Sequence, residues 1–237
     1  MVELLKVTLN TPMRTPPDPD AGLDHEQIGA MRRAYGEIGL TEVDVAADPI
    51  TQFQSWLTEA ARNPVVVEAN AMVLSTVDKE GPQSRTVLLK NVTKDGFTFF
   101  TNYESRKARA IAGNPNVSLL FPWYPMERQV IVQGSAIKTS LEVSADYFAT
   151  RPWGSQIGAW ASPQSQDLES RDALQTRYQE FARKYPEGTP VPVPPHWGGY
   201  LVTPRSIEFW QGRYSRLHDR LMFTATDSGW KLSRLHP

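Results

Sequence analysis

Apolar residues recur along the chain with two different periods, and the changes between them mark the elements. After Asp48-Pro49, the residues Ile50, Phe53, Trp56, Leu57 and Ala60 fall on one helical stripe. Asp48 is placed to cap that helix, and Pro49 suits its first position. Period two then takes over. Residues 71–77 and 83–90 read as strands joined by the turn Asp78-Lys-Glu-Gly81, and residues 97–102 as a third, entered through Lys94-Asp95-Gly96. Ser105 opens a short helix that stops near Gly113-Asn-Pro115. Strands follow at 117–121, 128–133 and 136–138. Thr139-Ser-Leu-Glu142 has the form of a capping box for a helix reaching about Thr150. Leu174, Tyr178, Phe181 and Tyr185 form one stripe of a longer helix ending at Pro186. The last strands are 200–202, 207–210, 221–226 and 230–235, the final pair a hairpin about Asp227-Ser-Gly229. Strands in two groups, with helices between them and no regular βαβ alternation, predict an α+β fold with a mostly antiparallel sheet or barrel.

Two proline-rich stretches punctuate this pattern. Residues 10–23 hold four prolines and read as a flexible leader, giving a domain division of 1–24 and 25–237. Residues 186–195 include Thr189-Pro-Val-Pro-Val-Pro-Pro195 and read as an extended polyproline connector.

Composition narrows the chemistry. The 237 residues carry 25 Lys+Arg against 26 Asp+Glu, so any anion must be held by a local cluster and wholesale nucleic-acid binding is disfavoured. The absence of cysteine excludes a disulfide framework, a thiolate metal site and a cysteine nucleophile. No apolar run has the length of a membrane span and no signal-peptide pattern opens the chain, so a soluble, cytoplasmic protein is expected. His25, His196, His218 and His236 lack partners at metal-motif spacing, and no metal site is expected.

Three clusters remain. Ser105-Arg-Lys-Ala-Arg109 sets Arg106 and Lys107 in the first turn of a helix, where the dipole repels cations unless an anion docks there. Solvated side chains tolerated at small cost are the plainer account. The strand Gln83–Lys90 presents Arg85 and Lys90 near opposite ends, for a ligand or merely as cations reaching solvent at strand ends. The run from Glu208 to Arg220 gathers Trp210, Arg213, Arg216, His218 and Arg220, residue types suited to phosphate and an aromatic ring. A surface hairpin with its charges paired to Asp219 and Glu208 is the plainer account, and composition alone leans toward it. Arg151, four residues after Tyr147, leaves its helix as the helix ends, aimed into a site or simply complementing the dipole. Together the clusters suggest one phosphorylated ligand or two. No phosphate loop, dinucleotide fingerprint or nucleophile elbow is present, so the hard chemistry would come from a cofactor.

In order and spacing, these segments resemble the pyridoxine (pyridoxamine) 5′-phosphate oxidase family from about Met31 to the C-terminus. The carriers include Met31-Arg-Arg-Ala-Tyr35, Arg85-Thr-Val-Leu-Leu-Lys90, Phe99-Phe-Thr-Asn102, Ser105-Arg-Lys107, Glu127-Arg-Gln129, Ser155-Gln-Ile-Gly-Ala-Trp160, Trp197-Gly-Gly199, Glu208-Phe-Trp-Gln-Gly212 and Arg216-Leu-His-Asp-Arg220. The resemblance implies an FMN-binding split β-barrel of Greek-key type with peripheral helices. It implies a homodimer with FMN at the subunit interface and a C-terminal dimerisation and substrate region. It assigns to FMN the residues Arg85, Thr86, Val87, Leu88, Lys90, Phe100, Thr101, Arg106, Lys107, Gln129, Gln164, Ser165, Trp210 and Arg220. It assigns to the substrate Arg32, Tyr35, Lys90, Tyr147, Arg151 and Ser155, with Arg216 and His218 as the catalytic pair over the pyridine ring. Phe100 stands where the family often has tyrosine. The implied reaction is oxidation of pyridoxamine or pyridoxine 5′-phosphate by oxygen to pyridoxal 5′-phosphate and hydrogen peroxide. A related split-barrel flavoprotein oxidase with another substrate, and a non-catalytic flavin- or pyridoxal-phosphate-binding protein, are the alternatives.

Overall fold

The computed structural model describes residues 25–31 and 34–237. The expected leader, 1–24, and Arg32 lie outside the described residues. The chain divides into two compact units, Met1–Ala34 and Tyr35–Pro237. The described part of the first holds one helix, α1 (His25–Ala30).

The second unit opens with α2 (Pro49–Arg62), whose start follows from local chemistry: the Asp48 side chain accepts a hydrogen bond from Thr51 N at 2.7 Å, with Pro49 next. Its apolar stripe sinks Phe53, wholly buried, edge-on against Phe97 and Phe121 at centroid distances of 4.9 and 4.8 Å. Burial of such a ring stabilises by about 1.5–3 kcal/mol.

The strands are β1 (Ala71–Asp78), β2 (Gly81–Leu88), β3 (Asn91–Thr93), β4 (Gly96–Asn102), β5 (Asn116–Trp123), β6 (Arg128–Lys138), β7 (Trp197–Gln211), β8 (Asp219–Thr226) and β9 (Gly229–Arg234). All their pairings are antiparallel, in the order β2-β1-β5-β6-β7-β4-β3, with β8 on β7 and β9 on β8. The two ends of that row are one stretch of chain. β2 pairs with β1 as far as Leu88; Leu89 N donates to Asn70 O at 2.8 Å, Lys90 N donates to Thr98 O at 2.8 Å, and β3 then pairs with β4. The curled sheet therefore meets itself at Leu89-Lys90, but no ladder joins β2 to β4. That gap is the split in the barrel.

Two expected breaks are absent. The strands read at 128–133 and 136–138 are one strand, because the interruption at Gly134 is a register shift in the β6–β7 ladder. A Cβ on Gly134 would lie 2.2 Å from Thr203 O, so only glycine fits the bulge. Likewise 200–202 and 207–210 belong to the 15-residue β7, which runs through Pro204. One edge of β7 serves two partners in turn: β4 pairs with Trp197–Val202 and β8 with Ser206–Gln211.

Helices α3 (Arg106–Gly113), α4 (Leu141–Ala149), α5 (Trp153–Ala161) and α6 (Arg171–Lys184) complete the unit. The cap of α4 is Ser140, accepting from Val143 N at 3.2 Å, one residue later than the capping box predicted; Thr139 instead hydrogen-bonds the Ser144 hydroxyl. Helix α5 was not anticipated. It starts at Pro152 without a side-chain cap, which removes the usual start signal.

Candidate functional site

The split opens into a cavity of about 690 Å³. One wall is β2, through Arg85, Thr86, Val87 and Leu88, followed by Lys90; the facing wall is the end of β4, with Phe100, Thr101 and Asn102. Helices α4 and α5 supply Tyr147, Ser155, Gly158 and Ala159, and the link between them supplies Arg151 and Pro152. Period two placed Arg85 and Thr86 on opposite faces. Both line the cavity because β2 is an edge strand beside the split.

Three rings stack into one side. Phe100 lies 4.1 Å from Tyr147 and 5.4 Å from Trp197, with interplanar angles of 17° and 9°. The strand behind them must carry glycine: a Cβ on Gly199 would meet Thr139 Oγ1 at 2.6 Å and Phe100 Cε1 at 2.8 Å. Trp197 is a cavity residue that sequence reasoning missed. Its sign was the Trp197-Gly-Gly199 triplet itself, two residues without side chains beside a large ring.

The electrostatics are one-sided. Among the described residues, four cations, Arg85, Lys90, Lys107 and Arg151, line the cavity, and no carboxylate does. Lys107 is only 9% exposed, and its Nζ donates to Gln164 Oε1 at 2.6 Å, Thr101 Oγ1 at 3.1 Å and Ser105 Oγ at 3.3 Å. Burial, and then the charge of Arg85, lower its pKa to about 8. Arg85 donates to Leu74 O at 3.1 Å and Thr76 Oγ1 at 2.8 Å. Burial, with the nearby charge of Arg106, depresses its pKa against the opposing pull of Asp78. Arg151 lies with its guanidinium 4.8 Å from the Trp197 ring centroid, and its buried Nη1 has no hydrogen-bond partner among the described residues. Burial lowers its pKa as well. An orphaned buried donor on a charged group is costly, so this one is complete only with an acceptor supplied from the cavity.

The structure separates Arg106 from Lys107. Arg106 turns to Glu80, 2.5 Å away, with Asp78 at 3.9 Å, and does not line the cavity. At the α3 N-terminus, Ser105 Oγ accepts from Ala108 N, which satisfies one of the first-turn N–H groups. Gln164 lines the cavity; its neighbour Ser165, at φ +68°, does not.

The remaining residues form a second group, none of which lines the cavity. Gln129, Trp210 and Arg220 are direct cross-strand neighbours in a row over β6, β7 and β8. Arg220 grips Glu208 with two hydrogen bonds of 2.7 and 3.0 Å, the pairing that the plainer account of this run allowed. His218 packs on Trp210 at 4.7 Å and edge-on to Tyr35 at 5.3 Å. Its Nδ1 accepts from Arg213 N at 3.0 Å, which places the proton of the neutral ring on Nε2. Burial and the charge of Arg216 lower its pKa. Ser215 and Arg216 hold left-handed backbone, at φ +53° and +63°, and Arg216 is exposed.

Fold and cavity together define a split-barrel protein with a cationic, aromatic-walled cleft suited to planar, anionic ligands. The family model described as pyridoxamine 5′-phosphate oxidase matches residues 57–185, and that described as the pyridoxine 5′-phosphate oxidase C-terminal dimerisation region matches residues 197–237. The chain belongs to the pyridoxine/pyridoxamine 5′-phosphate oxidase family. The enzyme of that name from Streptomyces avermitilis is 54% identical over 213 residues, covering 88% of this chain and 95% of its own. That from Rubrobacter xylanophilus is 53% identical over 211 residues, covering 89% and 96%. Among solved structures, PhzG from Burkholderia lata 383 in complex with tetrahydrophenazine-1-carboxylic acid is similar with a TM-score of 0.77 at 29% identity, covering 85% of this chain and 99% of its own. An FMN-binding protein from Nostoc punctiforme, at TM-score 0.63 and 16% identity, covers 81% of this chain and all of its own, and shares the fold.

Proposed function

We propose that this protein is an FMN-dependent oxidase that converts pyridoxamine or pyridoxine 5′-phosphate to pyridoxal 5′-phosphate. The observation that carries the reading is the cavity charge among the described residues: four cations, one with an orphaned buried donor, and no carboxylate, beside stacked rings. The donor set fits two phosphates. Lys107 with Arg85, Thr101 and Gln164 would hold the FMN phosphate, while Arg151, Lys90, Tyr147 and Ser155 would take that of the substrate. Phosphate binding far from the reacting carbon then orients that carbon. When bound, FMN supplies acceptance of two electrons and their transfer to oxygen, yielding hydrogen peroxide.

The row Gln129–Trp210–Arg220, with Arg216 and His218, lines no part of this cavity. We assign these residues to the site of a second subunit, a homodimer being supported by the matched C-terminal dimerisation region. In that arrangement the neutral His218 presents a proton on Nε2 to the 4′ amine or alcohol. Arg216 contributes fixed positive charge beside it. Neither forms a covalent bond to the substrate.

The test is direct. Purified with FMN, the protein should show a yellow chromophore that bleaches when pyridoxamine 5′-phosphate is added without oxygen and recovers on aeration with peroxide release. A chromophore that does not change under those conditions contradicts the assignment.

A further inference from the structure

The second group has a support that the proposed reaction does not itself explain. Asp219, next to His218, receives three donors on its two oxygens. Leu40 N at 3.0 Å and Arg213 Nη1 at 3.3 Å bind Oδ2, and Arg234 Nη1 at 2.6 Å binds Oδ1. Arg234 in turn grips Glu42 through two bonds of 2.9 and 2.8 Å and donates to Leu40 O at 3.0 Å. One carboxylate thus joins three pieces of chain: the segment 35–44, the loop 213–218 and the end of β9.

Two of these pieces bear on His218 directly. Arg213, held by Asp219, gives its backbone N–H to His218 Nδ1. The segment 35–44 brings Tyr35 against both His218 and Trp210, at 5.3 and 5.8 Å. Its start is pinned separately by Gly36 N donating to Glu127 Oε2 at 2.8 Å. The loop itself contains two consecutive left-handed residues without glycine, Ser215 and Arg216, an arrangement that persists only where its surroundings enforce it.

We propose that Asp219 is a positioning residue for the oxidation, fixing the ring orientation and tautomer of His218 through Arg213 and holding Tyr35 over it through Leu40 and Arg234. This rests on the proposed function for its catalytic consequence, but not for its structural one. The charged and titratable groups facing His218 are Tyr35 from the segment, Arg213 and Arg216 from its own loop, and Asp219. Burial and the charge of Arg216 lower the imidazole pKa and so favour its neutral form, and a loosened loop would relieve the burial.

The test uses Asp219→Asn, which keeps size and removes the charge. A second variant, Gly39→Ala, leaves Asp219 intact, but its new Cβ would lie 2.3 Å from Arg213 Nη1 and displace that guanidinium. In long-range proton–nitrogen NMR spectra, His218 of the wild type should show the Nε2–H tautomer, and both variants a mixture. In turnover of pyridoxamine 5′-phosphate, both should lose about 10- to 100-fold in kcat with FMN affinity retained, and the acid limb of the pH profile should move upward toward the ordinary histidine range. An unchanged tautomer and an unchanged pH profile in both variants would overturn the proposal. A wild type that forms the Nε2–H tautomer but does not oxidise the substrate would instead contradict the functional reading alone.

Discussion

Lys107 sits where a cation is hard to keep charged. It is buried, its three hydrogen-bond partners are neutral oxygens, and its pKa falls to about 8. A phosphate brought to Nζ restores the charged form, so FMN binding should take up a proton near pH 8. Binding should weaken as pH rises above that value, because free Lys107 then loses the proton that the complex needs. Calorimetric titration with FMN in two buffers of different ionisation enthalpy measures the proton directly; zero uptake at pH 8 would remove Lys107 from the phosphate site. For folding the sign is the same as for any depressed lysine: the unfolded chain holds more protons above pH 8, so this residue's penalty on stability is present below pH 8 and fades above it. Lys107 was legible in the sequence as a cation misplaced at a helix start. Its separation from Arg106 was not, since Glu80 competes for Arg106 from a hairpin turn 26 residues away.

At the level of elements, helix α2 and the hairpins were readable because their signals are local. Asp48-Pro49 starts the helix, and Gly81, Gly96 and Gly229 all take positive φ at the turns where they were expected. The failures were also physical. β6 and β7 each pass through a residue that usually ends a strand, Gly134 and Pro204, and the ladder between them absorbs both in one bulge. The double use of one β7 edge is a long-range fact that no local pattern encodes. The Trp197-Gly-Gly199 start of β7 also sets the ring stack, which yields a prediction. Gly199→Ala should cost about 1–3 kcal/mol by crowding Thr139 and Phe100. Urea unfolding would show a lower midpoint with an unchanged slope. FMN or substrate binding should weaken in parallel, and a variant as stable as the wild type would show that the close approach is slack.

For the whole molecule, the antiparallel α+β fold was deducible from strand grouping, and the family from motif order. The division of the site was not. The cavity residues and the Gln129–Trp210–Arg220 row with Arg216 and His218 read as one list along the sequence, whereas the folded subunit presents them as two groups. Sites shared across a two-fold dimer, as proposed above, make a quantitative expectation possible. Arg151→Ala damages the cavity and Arg216→Ala damages the other group, so each homodimer alone should be nearly inactive. After the two are unfolded and refolded together, half of the dimers are mixed, and each mixed dimer has one site with both halves intact. The activity regained should approach roughly a quarter of that of the wild type. If the mixture shows no more activity than the two variants measured separately, each site is built within a single subunit, and the two-subunit account is wrong.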